Sequence, residues 1–438
     1  MATSPTKARK SPAAKTKANT VCPFCALLCD DVTLKIDADT VSPLNLACPN
    51  AKQQYARLGL APDAPALLDP ASGNRSTVSL KEAVAATAAH LGSASKPYFG
   101  GLGTDLDALR VIHELGGHCG AVLEHLGSES TLANVGVMQT LGWYTTTLSE
   151  IRNRSDLVLI VGADCKNRYG RFVERILEPA AALASAARKN RRIVYLGPRK
   201  NAPRSKKFRI ENIYCEPQEI APLLSVLRAQ VLGKNLASEV PQSPKLSTLG
   251  ESLTQAAYAS VVWSSSDFST SQARLCIESI SKMLADLNTT TRAAGLSLGG
   301  DDGGMSAMQV SAWRSGYPLR VSYAGGRPSY DPQNNRLERL VENKQLDCLV
   351  WVDAFGRADP PARIPDVPYV FIGHPEKAKR VDADVVIPVG LPGIHHKARL
   401  VRTDSVVTMP LDRVQASKLP SVKSVFDSLI AQLNSEAN

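Results

Sequence analysis

Leu148-Ser-Glu-Ile-Arg-Asn-Arg-Ser-Asp-Leu-Val-Leu-Ile-Val-Gly-Ala-Asp164 contains an unbroken apolar run, Leu157–Val161, that stops at a glycine. The run is short and β-branched, so it predicts a strand covered on both faces. Runs of the same kind recur at Pro97–Phe99, Ile193–Leu196, Ser260–Trp263, Cys348–Val352, Tyr369–Ile372 and Val385–Pro388. Helical patterns lie between them, at Asp105–Leu115, Gly170–Ala187, Glu219–Leu232 and Thr270–Leu287. The alternation predicts an α/β fold with parallel, Rossmann-like sheets in two or more lobes. Several strands end at Gly162, Gly197, Asp353 or Gly373, and strand C-terminal ends are where such folds place ligands.

Working outward, Ser79 with Glu82 reads as a capping box that opens a helix to about Leu91. Val32–Ile36 alternates as a strand, and 61–78 reads as a Pro- and Ala-rich loop. Val231–Leu253 is polar and reads as a linker between lobes; Gly390–Leu411 reads as β-structure and turns, and Ser421–Leu433 as a closing helix. These readings divide the chain into a disordered basic tail at 1–20, a cysteine-bearing segment at 21–78, a first α/β lobe at 79–235, a second at 255–390, and a C-terminal segment at 391–438.

The net charge of +10 is unevenly placed. Lys7, Arg9, Lys10, Lys15 and Lys17 stand in the tail without an acid, and the tail lacks the apolar stretch of a secretory signal. A second basic run extends from Arg188 to Arg209 and includes Arg191, Arg192, Arg199, Lys200, Arg204, Lys206 and Lys207. It reads either as a solvated surface or as a site for an acidic partner. No aromatic residues interleave with it and no recognition motif accompanies it, so nucleic acid is not expected. No apolar run has the roughly 18–20 residues of a membrane helix, and a cytoplasmic protein is expected.

Four of the nine cysteines crowd into Cys22-x2-Cys25-x3-Cys29-x18-Cys48. Three thiolates on one tight loop and a fourth arriving from a return segment suit an iron–sulfur cluster. Structural zinc is an alternative, although it more often uses two short Cys hooks. An empty remnant whose thiols only pack is the third reading. The other five cysteines are scattered and read as buried apolar residues. No zinc-protease, nucleophile-elbow or Walker motif is present. Gly100-Gly-Leu-Gly103 reads as a turn and His395-His396 as a non-ligating pair. His113 and His118 read as surface or internally bonded histidines.

Cys22-Pro-Phe-Cys-Ala-Leu-Leu-Cys-Asp-Asp31 with a fourth cysteine resembles the N-terminus of the B-type subunits of formylmethanofuran dehydrogenase, a family that belongs to the molybdopterin oxidoreductases. The likeness continues through Leu148–Asp164, Gly316-Tyr-Pro-Leu-Arg-Val-Ser-Tyr323 and Ala383-Asp-Val-Val-Ile-Pro388 with Gly393-Ile394, nearly the whole chain from residue 21. The resemblance implies a molybdopterin-oxidoreductase-like fold and a [4Fe-4S] cluster on Cys22, Cys25, Cys29 and Cys48.

Two departures matter. Where the dehydrogenases place a metal-ligating Cys followed by His, this chain has Ser130 and Thr131. A hydroxyl is a poor ligand for a soft metal, and threonine cannot replace imidazole as acid or base. In Gly295-Leu-Ser-Leu-Gly-Gly-Asp-Asp-Gly-Gly304, Asp301 and Asp302 sit where they would repel a cradled phosphate. No molybdopterin is therefore expected. The resemblance implies a non-catalytic structural subunit of the bacterial formyltransferase/hydrolase relatives, which take formyl-tetrahydromethanopterin to formate through formylmethanofuran. Its expected partners are the other subunits, of types A, C and D, and the basic run is expected to meet a partner's acidic surface or glutamate-rich methanofuran. Alternatives are a redox-active dehydrogenase subunit using Ser130 as a tungsten or molybdenum ligand, an electron-transfer module using the cluster alone, and a nucleic-acid binder suggested only by the tail.

Overall fold

The computed structural model describes residues 15–37, 40–58, 65–68, 75–178, 191–234 and 242–436. Residues 1–14 of the expected tail, most of the 61–78 loop, the second half of the Gly170–Ala187 pattern, and Arg188 and Lys189 lie outside the described residues.

A small antiparallel sheet holds β1 (Lys15–Thr20), β2 (Val32–Ile36) and β3 (Val41–Pro43). A larger sheet contains β4 (Ala66–Leu68), β5 (Ser76–Val78), β6 (Pro97–Gly103), β7 (Val122–Leu123), β13 (Val321–Ser322), β14 (Ser329–Tyr330), β15 (Cys348–Asp353), β16 (Tyr369–Gly373) and β17 (Val385–Pro388). Its order is β14-β13-β7-β6-β15-β16-β17-β4-β5; β7 to β17 run parallel, and the pairs at either end are antiparallel. A third sheet is parallel throughout and contains β8 (Leu157–Val161), β9 (Arg192–Gly197), β10 (Glu211–Tyr214), β11 (Ala259–Trp263) and β12 (Ala293–Ser297), in the order β10-β9-β8-β11-β12. The hairpin β18 (Ala398–Val401) and β19 (Thr408–Leu411) completes the strands.

The helices are α1 (Pro49–Arg57), α2 (Leu80–Ser93), α3 (Leu106–Cys119), α4 (Ser128–Leu141), α5 (Leu148–Arg154), α6 (Ile220–Val231), α7 (Ser243–Gln255), α8 (Ala273–Leu287), α9 (Gly304–Ser315), α10 (Leu337–Glu342), α11 (Pro375–Ala378) and α12 (Val422–Glu436). The capping box at the start of α2 forms as expected, Ser79 accepting from Glu82 N and Glu82 accepting from Ser79 N. Each fully buried large side chain, Trp263, Phe99 and Phe371 among them, contributes roughly 1.5–3 kcal/mol.

The two large sheets are not consecutive lobes. The chain starts the larger sheet, leaves it after β7, builds the whole parallel five-stranded sheet, and returns at β13. The boundaries 79–235 and 255–390 therefore give way to an insertion, which strand spacing alone does not reveal. Val231–Leu253 is not a bare linker either. It contains most of α7, whose Leu246, Leu249 and Leu253 bury a stripe at helical spacing. The tail reading fails for Lys15–Thr20. These polar residues bury little, but β1 satisfies its backbone on β2 and Thr20 Oγ1 donates to Val32 O (2.8 Å). Gly100–Gly103 is part of a buried strand, not a turn. Gly101 and Leu102 have positive φ where the pairing of β6 with β15 shifts register, and a Cβ on Gly100 would strike the Trp351 ring.

In the parallel sheet the strand order reverses between β8 and β11. The loops leaving these two strands part company there, which opens a crevice at their C-terminal ends.

Candidate functional site

The cysteine loop is closed by its own backbone. Cys22 N donates to Cys29 O (2.8 Å) and Leu28 N to Cys25 O (3.1 Å), with Leu28 at φ +45°. Cys48 arrives as the residue before α1, with Pro49 at the first helical position and no side-chain cap, so its thiol stands at a helix N-terminus. All four thiols are free and buried, and all four border one cavity with Phe24, Leu27, Leu46 and Arg171. That cavity has an open volume of about 10 Å³, close to one water.

Burial in this apolar nest pushes the Cys22 thiol up to about 12 and Cys29 to about 11, and lifts Cys25 well above its ordinary value. The thiols stay protonated unless cations replace their protons. Among the described residues no three His, Cys, Asp or Glu side chains gather closely enough for a single metal ion. Four thiols bordering one cavity form a donor set of the kind that holds a cluster or zinc.

Arginines brace the nest. Arg171, 5% exposed, forks onto Asp31 (2.6 and 2.8 Å) and holds Glu174 (2.6 Å); Arg175 pairs with Asp30 and Asp31. Burial works against the Asp31 carboxylate, but hydrogen bonds from both arginines prevail and lower it to about 2.

The glycine-rich loop lies directly behind the cysteine loop. Asp301 accepts Ala26 N–H (2.8 Å) and Arg168 Nε (2.6 Å). Asp302 is gripped by Arg357 through Nε (2.6 Å) and Nη2 (2.8 Å), while Arg357 Nη1 donates to Phe24 O (3.0 Å). Both carboxylates are buried. Burial opposes ionisation of Asp301, yet the charges of Arg168 and Arg357 overcome it and keep its carboxyl below the ordinary range. Behind this pair, burial and then repulsion from Asp302 raise Asp353 to about 7; Asp353 accepts Gly356 N–H (2.8 Å).

Gly303 and Gly304 serve internal packing. Gly303, φ +79°, sits so close to Thr104 O that no Cβ fits, and a Cβ on Gly304 would lie 2.8 Å from the His125 ring. His125 Nδ1 accepts Gly127 N–H (2.9 Å), so the proton sits on Nε2, which donates to Asp302 O (3.2 Å); burial favours this neutral form. Gly299 N–H donates to Thr403 Oγ1 (3.1 Å) and Gly304 N–H to Asp301 O (2.9 Å), and Asp301 and Asp302 are paired with the nearby Arg168 and Arg357.

Ser130 and Thr131 fall in the first turn of α4, and both hydroxyls bond back to Gly127 O (3.0 and 3.2 Å). Ser130 borders a cleft of about 730 Å³. His395 and His396 turn to different partners, Leu391 N and Asp105, and do not form a shared site. His113 is buried and meets Tyr323 Oη at 3.1 Å. Within the basic run, Arg191 donates to the carbonyls of Ser155, Ile151 and Arg152, Arg192 forks onto Glu211, and Arg199 stacks on Tyr214 (4.5 Å). Arg199, Arg204, Arg209 and Lys166 line an open cleft of about 390 Å³. Sequence reasoning missed Arg168, Arg357 and His125, because their partners Asp301 and Asp302 lie far away in the chain.

No protein-family model matches the chain. It is 24% identical over 413 residues to the B-type subunit of tungsten-containing formylmethanofuran dehydrogenase 2 of Methanococcus maripaludis, covering 92% of this chain and 94% of that protein. It is 29% identical over 314 residues to the B-type subunit of the formyltransferase/hydrolase complex Fhc of Methylorubrum extorquens, covering 71% and 82%. A chain in the crystal structure of the M. extorquens FhcABCD complex with methylofuran superposes with a TM-score of 0.70 at 25% identity, covering 85% of this chain and 99% of that one. Acetylene hydratase from Pelobacter acetylenicus shares the fold alone, with a TM-score of 0.54 at 11% identity, covering 96% and 70%. The chain is therefore a homologue of the B-type subunits of formylmethanofuran dehydrogenase and of the Fhc complex, built on the molybdopterin oxidoreductase fold.

Proposed function

We propose that this chain is a non-catalytic B-type subunit of a formyltransferase/hydrolase complex, assembled with subunits of types A, C and D. The observation that carries this reading is the occupation of the glycine-rich loop by the buried Asp301 and Asp302, each paired with a half-buried arginine. Two further features support it: hydroxyls at Ser130 and Thr131 instead of a thiolate, and glycines packed against Thr104 and His125. In such a complex the chain contributes surface and rigidity, and the transfer and hydrolysis of the formyl group fall to other subunits.

The cysteine nest supports a second element of the proposal. Cys22, Cys25, Cys29 and Cys48 hold a [4Fe-4S] cluster, with Arg171 and the N-terminus of α1 offsetting the negative charge of four thiolates. When bound, the cluster would supply a cross-link between the cysteine loop and the N-terminus of α1, and a one-electron centre. The basic cleft around Arg199 and Arg204 meets an acidic surface of a partner or a glutamate-rich methanofuran. Charge reversal at Arg204 and Lys206 should then weaken assembly or carrier retention in a salt-dependent way; unchanged assembly and retention would remove that contact.

The deciding measurement is elemental analysis with a pterin fluorescence assay on the complex purified without oxygen. Absence of tungsten, molybdenum and pterin supports the non-catalytic reading, and any of them at one per chain overturns it. About four irons per chain supports the cluster, and iron below a tenth of that removes it.

A further inference from the structure

Strand β10 is the outer strand of the five-stranded sheet: β9 pairs with one side of it, and no described strand pairs with the other. Cys215 N–H, just past its end, donates inward to Gly197 O (3.2 Å). Successive residues of a parallel ladder turn their peptide groups to alternate sides, so the N–H and C=O of Asn212 and Tyr214 point outward. Among the described residues nothing bonds to these groups from the outer side. Asn212 Nδ2 donates to Ile210 O (2.9 Å), and its Oδ1 has no partner among the described residues.

Two clefts flank this edge. One, of about 500 Å³, lies between β10 and α7 and is lined by Arg192, Ile213 and Lys245. The other, of about 390 Å³, is lined by Arg199, Arg204 and Tyr214. Ile213 packs into the core of the parallel sheet and Tyr214 against the core around the cysteine loop, so the clefts lie on opposite faces of the strand. Arg209, Ile210 and Asn212 border both. Together the clefts are lined by six cations and one carboxylate, Glu211, which Arg192 already holds (2.7 Å). Arg204, Arg209 and Lys245 are exposed and make no ion pair among the described residues. Cations on an edge strand can simply guard it against self-pairing. That role does not account for a cleft on each face. Unpaired main-chain groups between two clefts are what an added strand needs, because its alternate side chains point to opposite faces. The charge of the lining selects acidic side chains.

We propose that the open edge of β10 accepts an extended acidic segment of a partner protein as a further strand. The segment's backbone pairs with Asn212 and Tyr214, and its alternate side chains enter the two clefts. This rests on the reading that the basic cleft around Arg199 and Arg204 meets an acidic partner. It deepens that reading by naming the mode of contact, a main-chain ladder added to the charge.

The test is fluorescence anisotropy of the purified full chain with a labelled peptide that alternates glutamate with valine. A counterpart N-methylated throughout keeps the charge and cannot form the ladder; it should bind at least tenfold more weakly. Asn212→Pro removes an outward N–H without touching the pairing with β9, a placement that edge strands tolerate. It should also cost at least tenfold, while Asn212→Ala should bind like the parent. An unchanged unfolding midpoint verifies that the proline variant folds, and if it does not, the methylated peptide decides. Arg204→Glu combined with Lys245→Glu should weaken binding at least tenfold at low salt and less at high salt. Arg274→Glu on α8, outside both clefts, should leave it unchanged. No binding of the peptide, or equal binding of the methylated peptide or of oligo-γ-glutamate, overturns strand addition. Equal binding together with a loss on charge reversal overturns the ladder alone and leaves the acidic-partner reading standing.

Discussion

The cysteine nest and the glycine-rich loop adjoin each other, yet they have kept opposite things. The nest keeps its four donors buried around one cavity, and burial raises the thiols of Cys22, Cys25 and Cys29. The glycine loop has its countercharges inside: Asp301 and Asp302 pair with Arg168 and Arg357. An open donor set and an internally paired loop thus lie side by side, joined by Ala26 N–H on Asp301 and Phe24 O on Arg357.

The largest effect that would break this contrast comes from Asp301. Asp301→Ala removes the partner of Arg168, a partner of Arg357's charge, and the acceptor of Ala26 N–H. Truncating one member of a buried ion pair typically costs about 3–5 kcal/mol, and that loss is expected in the denaturant midpoint of the purified protein. A loss under about 1 kcal/mol would mean that water replaces the carboxylate, and the loop would not be filled in the sense argued. Cys22→Ser in iron-free protein is expected to change the midpoint far less, because no buried charge is stranded.

A smaller loss is expected at Gly303. A side chain there meets Thr104 O and a left-handed backbone. The conformation alone costs roughly 1–2 kcal/mol, and the clash adds to it. If Gly303→Ala melts like the parent, the glycines are not packing elements, and the cradle interpretation returns.

Asp31 and Asp353 respond to pH with opposite sign. Asp31, beside the nest, is lowered to about 2 in the folded protein. Its contribution is complete above the ordinary carboxylate range and lost as pH falls through about 2. Asp353, behind the glycine loop, is raised to about 7. The folded state holds its proton more tightly than the unfolded chain, so its contribution is present below about 4 and lost as pH rises through about 7. Asp353→Asn should flatten the stability profile between pH 5 and 8, and Asp31→Asn should leave that window alone. A profile unchanged by Asp353→Asn would place Asp353 among ordinary carboxylates.

The parts of this arrangement that depend on local pattern were legible in the sequence. Leu157–Val161 and Val385–Pro388 are strands at the expected residues, and the cysteine spacing does bring four thiols to one cavity. The two carboxylates within the glycine-rich loop, Asp301 and Asp302, were also readable in the sequence. The pairing with Arg168 and Arg357 was not, since it spans 133 and 55 residues and arginines give no signal of their partner's position. The inserted five-stranded sheet escaped for the same reason. Strand order is decided by packing between distant segments, and β7 and β13, two residues each, leave almost no apolar pattern.

The smallest effect sharpens the comparison by providing its baseline. Ser79→Ala at the start of α2 removes one half of an exposed capping box remote from both sites. It should cost about 1 kcal/mol and do so identically in iron-loaded and iron-free protein. A cap is a local device; its loss is felt by one helix end and by no cofactor. If Ser79→Ala instead destabilised the protein as much as Asp301→Ala, the unfolding signal would be reporting a fragile chain in which any lesion suffices. The large loss at Asp301 would then say nothing particular about the filled loop. A threefold or greater gap between the two ties the effect to buried charge, the feature that distinguishes the loop from the nest.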